Sequence, residues 1–239
     1  MTLRRRVALI GLGKMGRALA QLAPERGWDV VATVGGAENK DARSITPSFL
    51  EGVDVAIEFT TPNAAPANVR AAVAAGCPIV VGTTGWQDQL PSLSEFVASR
   101  NGALLTAPNF SLGVNAFEQI VKFASRLLAG VGGFDVQMVE MHHAAKKDAP
   151  SGTAIMLRRA AAPAWGREIP ITSVRTGSVP GTHELIFDAP FETVTLTHAA
   201  RDRRVFAEGA LVAAAWLIGR HGVFTMQDVL ASRATLGAS

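Results

Sequence analysis

The chain has 239 residues, 48% of them hydrophobic and 18% charged, with a formal charge of +3 and a pI near 9.5. That length can bury one large core or two modest ones, and the apolar balance excludes an intrinsically disordered chain. The basic residues are scattered and aromatics make up 6%, so no nucleic-acid partner is expected, while a small anionic substrate fits the charge. A single cysteine, Cys77, excludes an intrachain disulfide framework and a cysteine-rich zinc site. Runs such as AIMLRRAAAPAW and GALVAAAWLIG are broken by charge or too short for a bilayer, so no membrane partner is expected either. The opening MTLRRRVALIGLG starts like a secretory leader, but its short apolar run enters a glycine turn, which predicts a cytoplasmic protein.

VALI at 7–10 predicts a buried strand, followed by a glycine turn and a helix that Pro24 ends. WDVVATV at 28–34 and VDVAIEF at 53–59 predict the next two strands, with a helix from about Pro66 capped by Gly76. PIVVG at 78–82 and ALLTA at 103–107 are further strands with a helix between them. This alternation predicts an α/β fold with a Rossmann-type, doubly wound parallel sheet. After Asn109 the pattern changes to a helix over about 114–128, a strand in FDVQMVEMHH and a helix opening near Ser151. ITSVRTGS, THELIFD and FETVTLTHA are β-rich and separated by Gly and Pro turns, predicting a second α+β domain with a mixed or antiparallel sheet. AEGALVAAAWLIG and TMQDVLAS are helical, the latter with Thr225 and Asp228 as a capping box. The expected domains are 1–110 with 204–239 for a dinucleotide, and 111–203 for substrate.

Gly11-Leu12-Gly13-Lys14-Met15-Gly16 is a full GxGxxG between the first strand and first helix. Gly11 permits a tight turn, Gly13 lets the backbone approach a pyrophosphate, and Gly16 lets helix and strand pack closely. The helix start then offers N–H groups and a positive dipole end to the phosphates. The acid that usually holds a ribose diol at the end of the second strand is missing; Val34-Gly35-Gly36 stands there, with Glu38 and Lys40 after it. Lys14 and Lys40 either face a 2′-phosphate or are solvated surface lysines, so NADH and NADPH both remain open.

The stretch EMHHAAKKDAPSGTA at 140–154 brings two histidines and Lys146 to a strand end, then leads into Ser151-Gly152-Thr153 opening a helix. Ser151 is a natural N-cap, and the N–H groups of Gly152 and Thr153 would face an anion. The segment therefore reads as a carboxylate trap with a proton donor beside it. A metal site from His142 and His143 is not expected, because adjacent strand residues point to opposite faces and no third ligand is near in sequence. Ser151 reads as a cap rather than a nucleophile, and the bland alternative is two histidines on a structural strand.

This stretch resembles the signature of the dihydrodipicolinate reductase family, and the resemblance covers nearly the whole chain. GTTGW, with Gly82, Thr83 and Thr84, looks like the family's nicotinamide loop. APNFSLGVN, with Ala107, Pro108, Asn109 and Phe110, looks like its interdomain hinge. VRTGSVPGTHEL and LTHAARDRRVFAEGA are similar to its arginine-glycine hairpin and its return into the nucleotide domain. The resemblance implies NADH- or NADPH-dependent reduction of a cyclic imine dicarboxylate to tetrahydrodipicolinate, in lysine and diaminopimelate synthesis. His142 matches the proposed general acid, Lys146 a lysine that binds substrate and assists protonation, and His143 a substrate contact. Gly152 and Thr153 match the carboxylate-binding pair. Gly11, Gly13, Lys14, Met15 and Gly16 would hold the cofactor together with the nicotinamide-loop and hinge residues. A homotetramer built through the second domain is also implied. The glycine loop is one residue shorter than the family's common form, which leaves cofactor preference open. The competing readings are another Rossmann imino- or amino-acid dehydrogenase, or a non-catalytic dinucleotide-binding sensor.

Overall fold

A computed structural model of the chain describes residues 4–236, the last four by backbone alone. The chain divides into two compact units, one formed by residues up to Leu112 and from Arg204 onward, the other by Gly113–Arg203.

In the first unit, β1 (Arg5–Ile10), β2 (Trp28–Val34), β3 (Val55–Glu58), β4 (Ile79–Val81) and β5 (Ala103–Thr106) alternate with α1 (Lys14–Leu22), α2 (Ala65–Ala74) and α3 (Leu90–Ser99). The second unit follows, with α4 (Leu112–Val131), β6 (Asp135–His142), α5 (Gly152–Trp165), β7 (Ile171–Arg175), β8 (Thr182–Ala189) and β9 (Glu192–Ala199). The chain then returns to the first unit through α6 (Arg204–Leu217), β10 (Gly222–Phe224) and α7 (Met226–Leu236).

The sheet of the first unit has six parallel strands in the order β10-β5-β4-β3-β1-β2. Val7, Leu9, Val55 and Ile57 turn to one face, where they pack with residues of α1 and α6. Ala8, Ile10, Ala56, Ile79 and Val81 turn to the other, against α2 and α3. With both faces covered, the central strands read as unbroken apolar runs rather than alternating ones. The strand order reverses at β1, so the carboxyl ends of β1, β3 and β4 bound a crevice of the kind that takes a ligand in open α/β sheets. The sequence pattern does not predict β10, because three residues between two helices are too few to show a period. Thr225 and Asp228 form the expected box at α7, with the Asp228 carboxylate accepting from the Thr225 N–H at 2.7 Å.

The sheet of the second unit is mixed, in the order β7-β6-β8-β9, with β7 parallel to β6 and the other pairs antiparallel. Its inner face packs on Phe117 and Val121 of α4 and on Leu157 and Ala161 of α5. Along that face the β6–β8 pairs run Val136/Phe187, Met138/Leu185 and then Glu140/His183. The period of two therefore carries one face from an apolar core into a buried polar end.

One buried charge in the first unit is poorly served. Glu58 closes β3 with no solvent exposure, accepts from Thr60 Oγ1 and, at 3.3 Å, from Asn68 Nδ2, and leaves Oε2 without a hydrogen-bond partner among the described residues. Burial pushes its carboxyl pKa above the ordinary value, against the lowering by Thr60, Thr83 and Asn68. A raised folded pKa means that stability falls as pH rises above the unfolded carboxyl value. Glu58→Gln should therefore raise Tm at pH 8 by about 2–4 °C, with the gain shrinking toward pH 4, as measured by calorimetry; an unchanged Tm at pH 8 contradicts this.

Candidate active site

The glycine loop turns directly from β1 into α1. Gly11 holds φ +99°, and a Cβ there would meet the Phe59 carbonyl oxygen at 2.1 Å; a Cβ on Gly16 would meet the Gly11 carbonyl oxygen at 1.9 Å. These two glycines let loop, strand and helix touch. At Gly13 a Cβ would meet nothing within 4 Å, and no side chain caps α1 there. The loop thus opens its backbone to a cleft of about 490 Å³ lined by Gly13, Lys14, Met15, Phe59, Thr60, Pro62, Gly82, Thr83 and Thr84. A helix start with no side-chain cap and an open glycine fit a pyrophosphate.

Of the residues expected to hold a cofactor, Gly13, Lys14, Met15, Gly82, Thr83 and Thr84 meet at this cleft. Gly11 and Gly16 lie beneath it as packing positions. Ala107, Pro108, Asn109 and Phe110 are not on it: Ala107 and Phe110 are buried in the core, with Phe110 edge-on to Phe59 at 5.8 Å. Thr83 Oγ1 accepts from the Thr60 N–H at 2.7 Å and so ties the β4 and β3 loops together. The end of β2 is not without an acid, as the sequence suggests. The chain turns at Gly35, and the Glu38 carboxylate folds back to accept the Gly35 N–H at 3.3 Å.

In the second unit, Glu140, His142 and His183 share the polar end of the inner face, 0%, 7% and 4% exposed. A carboxylate this buried needs partners. Arg175 lies opposite His142 in the parallel β6–β7 pair and donates to Glu140 Oε1 at 2.6 Å and to the Asp148 carbonyl at 2.6 Å. His142 Nδ1 bonds the other carboxylate oxygen. Burial opposes the Glu140 charge, but Arg175, Ser173 and His142 hold its pKa down to about 2. The His142 pKa is lowered, chiefly by burial, with Glu140 opposing and Lys146 and Arg175 adding to the drop.

His183 faces His142 edge-on, with ring centroids 5.2 Å apart. Ser151, the N-cap of α5, accepts from the Ala154 N–H at 3.2 Å and lies 3.2 Å from His183 Nε2. Either the Ser151 hydroxyl or the His183 Nε2–H donates in this contact, according to the tautomer of the ring. Burial foremost, and the His142 charge, push the His183 pKa down to about 4, so this ring stays neutral. Glu140, His142 and His183 bring ligand-type atoms within 4.8 Å of one another. This cluster leaves out His143, and strand alternation and pairing, not the His142–His143 neighbours, bring it together. The Arg175 guanidinium already supplies a cation there.

Past the strand end, His143 begins a turn closed by the Lys146 N–H on its carbonyl at 3.0 Å. Lys146 Nζ donates to Asp148 Oδ1 at 2.7 Å. His143 Nε2 accepts from Arg203 at 2.9 Å, which places the proton of this ring on Nδ1. His143, Gly177, Arg201 and Arg203 lie on a second cleft, of about 550 Å³ and confined to this unit. Sequence reasoning gives no role to Glu140, Arg175, His183 or Arg203. The alternation Val136, Met138, Glu140, His142 carries the signal for the first, whereas the others depend on pairing between distant segments.

Backbone groups for a dinucleotide in one unit and a buried imidazole–carboxylate pair in the other are the equipment of a nicotinamide-dependent reductase. Residues 5–110 match the family description "Dihydrodipicolinate reductase, N-terminus" and residues 113–230 match "Dihydrodipicolinate reductase, C-terminus". The 4-hydroxy-tetrahydrodipicolinate reductase of Christiangramia forsetii is 35% identical over 94% of this chain and 97% of its own. That of Zymomonas mobilis is 38% identical, covering 94% of this chain and 96% of its own. A dipicolinate-bound dihydrodipicolinate reductase from Paenisporosarcina sp. TG-14 shares the fold, with a TM-score of 0.78, 22% identity, and coverage of 93% and 97% of the two chains. The chain belongs to the dihydrodipicolinate reductase family.

Gly16→Val should weaken NADH binding at least about tenfold in a fluorescence titration, because α1 must move off the loop. Retained affinity contradicts the close packing as the basis of the phosphate cradle.

Proposed function

We propose that the protein reduces a cyclic, conjugated imine dicarboxylate to tetrahydrodipicolinate with NADH or NADPH, acting in lysine and diaminopimelate synthesis. The observation that carries this is the match, along both units, to relatives of that one activity. In support, His142, His143, Lys146 and the Gly152–Thr153 helix start stand in one segment.

The first unit contributes the Gly13 loop for the pyrophosphate, with Lys14, Gly82, Thr83 and Thr84 on the same cleft. When bound, the nicotinamide supplies a hydride. Glu38 at the end of β2 suits a ribose diol, while Lys14 suits a 2′-phosphate, so both reductants stay within the reading. The second unit contributes the anion site and the proton. The dipole at the start of α5 draws a substrate carboxylate to Gly152 and Thr153, with Lys146 and His143 as further contacts. Hydride addition leaves an enamine that must gain a proton, and His142, the catalytic acid, donates it from Nε2, since Nδ1 is held by Glu140. Lys146 offsets the negative charge of the substrate and assists this protonation.

A homotetramer assembled through the second unit, in the cytoplasm, completes the proposal. The outer face of its sheet carries Val139, Met141 and Ile186 half-buried beside exposed Thr195 and Thr197, and Phe191 at the β8–β9 turn is fully exposed. This patch of apolar and threonine side chains, with Glu184 set among them opposite Val139, is the surface assigned to a copy of the same chain. Among the described residues, no helix is long and apolar enough to cross a membrane.

The test is NADH and NADPH oxidation, side by side, when the product of the preceding synthase is supplied fresh. Turnover is expected with at least one reductant; none with either overturns the reading. His142→Ala should lower kcat by about 100-fold with little change in KM. Thr153→Val should instead raise KM by about tenfold. Equal, small effects from both contradict these roles. Ile186→Asp should lower the mass found by light scattering, and an unchanged mass contradicts assembly through this face.

A further inference from the structure

The mechanism above uses Glu140 only to hold His142 Nδ1, yet its side chain is fully buried and is bonded to both His142 and Arg175. It sits two residues before His142 on the same face of β6, so its carboxylate reaches along the strand to the imidazole. Its other oxygen is held by Arg175, whose guanidinium also grips the Asp148 carbonyl in the loop behind Lys146. An ionised carboxylate that meets an imidazole nitrogen accepts a hydrogen bond, which places the proton of the ring on Nδ1. Nε2 then turns away from the carboxylate, toward Gly181, where a Cβ would approach it to 3.0 Å.

We propose that Glu140 is a positioning residue for the proton transfer, with its Arg175-clamped carboxylate fixing the His142 tautomer and supporting the imidazolium. This rests on His142 being the acid. Without a carboxylate, a ring buried among cations holds a second proton poorly. Lys146 and Arg175 both disfavour the imidazolium, neutral His183 gives it no help, and Asp148 is engaged with Lys146. Glu140 is the one carboxylate in contact with the ring among the described residues. Gly181 belongs to the same device, because the absence of a side chain leaves space beside Nε2.

The charge and the geometry separate in two substitutions. Glu140→Gln keeps the shape and removes the charge; Glu140→Asp keeps the charge and shortens the reach. The activity requires protonated His142, so kcat falls as pH rises through the pKa of that ring. Glu140→Gln should move this limb to lower pH by about one unit, costing about tenfold in kcat above it, with KM for substrate held within about threefold. Glu140→Asp should leave the limb near its wild-type position and lower kcat at all pH values. In a His142→Ala background, Glu140→Gln should add nothing. A limb that stays in place in Glu140→Gln, or a loss that persists in full without His142, overturns the proposal.

Imidazole titration by nitrogen-15 NMR reads the same quantity without turnover. The His142 midpoint should fall by a similar amount in Glu140→Gln, and the resting wild-type ring should carry its proton on Nδ1. If the wild-type enzyme turned over no substrate, the assigned reaction would fail while this titration still judged Glu140. A proton found on Nε2 in the resting ring overturns the proposal even where Glu140→Gln fails to fold.

Discussion

A carboxylate cannot be withdrawn from water without cations and hydrogen-bond donors around it, and in the second unit that requirement organises the sheet. Glu140 is fully buried on the inner face of β6. Its needs are met by Arg175, which the parallel pairing of β7 sets beside the strand end, and by His142 on the same strand. Removing one partner of such a group costs about 3–5 kcal/mol, because the other charge is left uncompensated. The antiparallel partner β8 brings His183 opposite Glu140, and Ser151 joins that ring to the start of α5. His142 and the start of α5 thus meet in one buried cluster, in which the His142 and His183 rings pack edge-on and Ser151 bonds His183.

The first unit meets its task by nearly the opposite means. Its cradle is backbone, made by removing side chains at Gly11, Gly13 and Gly16 and leaving α1 without a side-chain cap. Two faces of packed aliphatic residues hold that turn rigid. A phosphate is recognised by many N–H groups at fixed positions, whereas a proton donor needs one ring with its basicity set by neighbours. Rigid packing serves the first requirement and a buried ionic network the second.

The parts of this arrangement that were legible in the sequence are the local ones. WDVVATV is β2 residue for residue, and Ser151 caps α5 as its position before Gly152 predicts. The glycine loop announced its place, between β1 and α1. The partners of His142 were less accessible, since Arg175 is 35 positions from Glu140 and only the β6–β7 register joins them. Glu38 is a different case. An acid four positions beyond the strand reads as displaced, yet a turn at Gly35 returns its carboxylate to the strand end. The four hinge residues after β5 resemble the family's cofactor contacts; Ala107 and Phe110 are buried, Pro108 is exposed, and the described cleft is lined by other residues.

If the buried pair serves as the proton donor beside an anion site, a dianion arriving there must make His142 more basic. Calorimetric titration of dipicolinate into the protein at pH 7.5, repeated in buffers of different ionisation enthalpy, measures this directly. Binding should be accompanied by net proton uptake, because His142 is held neutral at rest by burial and gains its second proton when negative charge approaches. Binding with no proton exchange, or with proton release, would contradict the account.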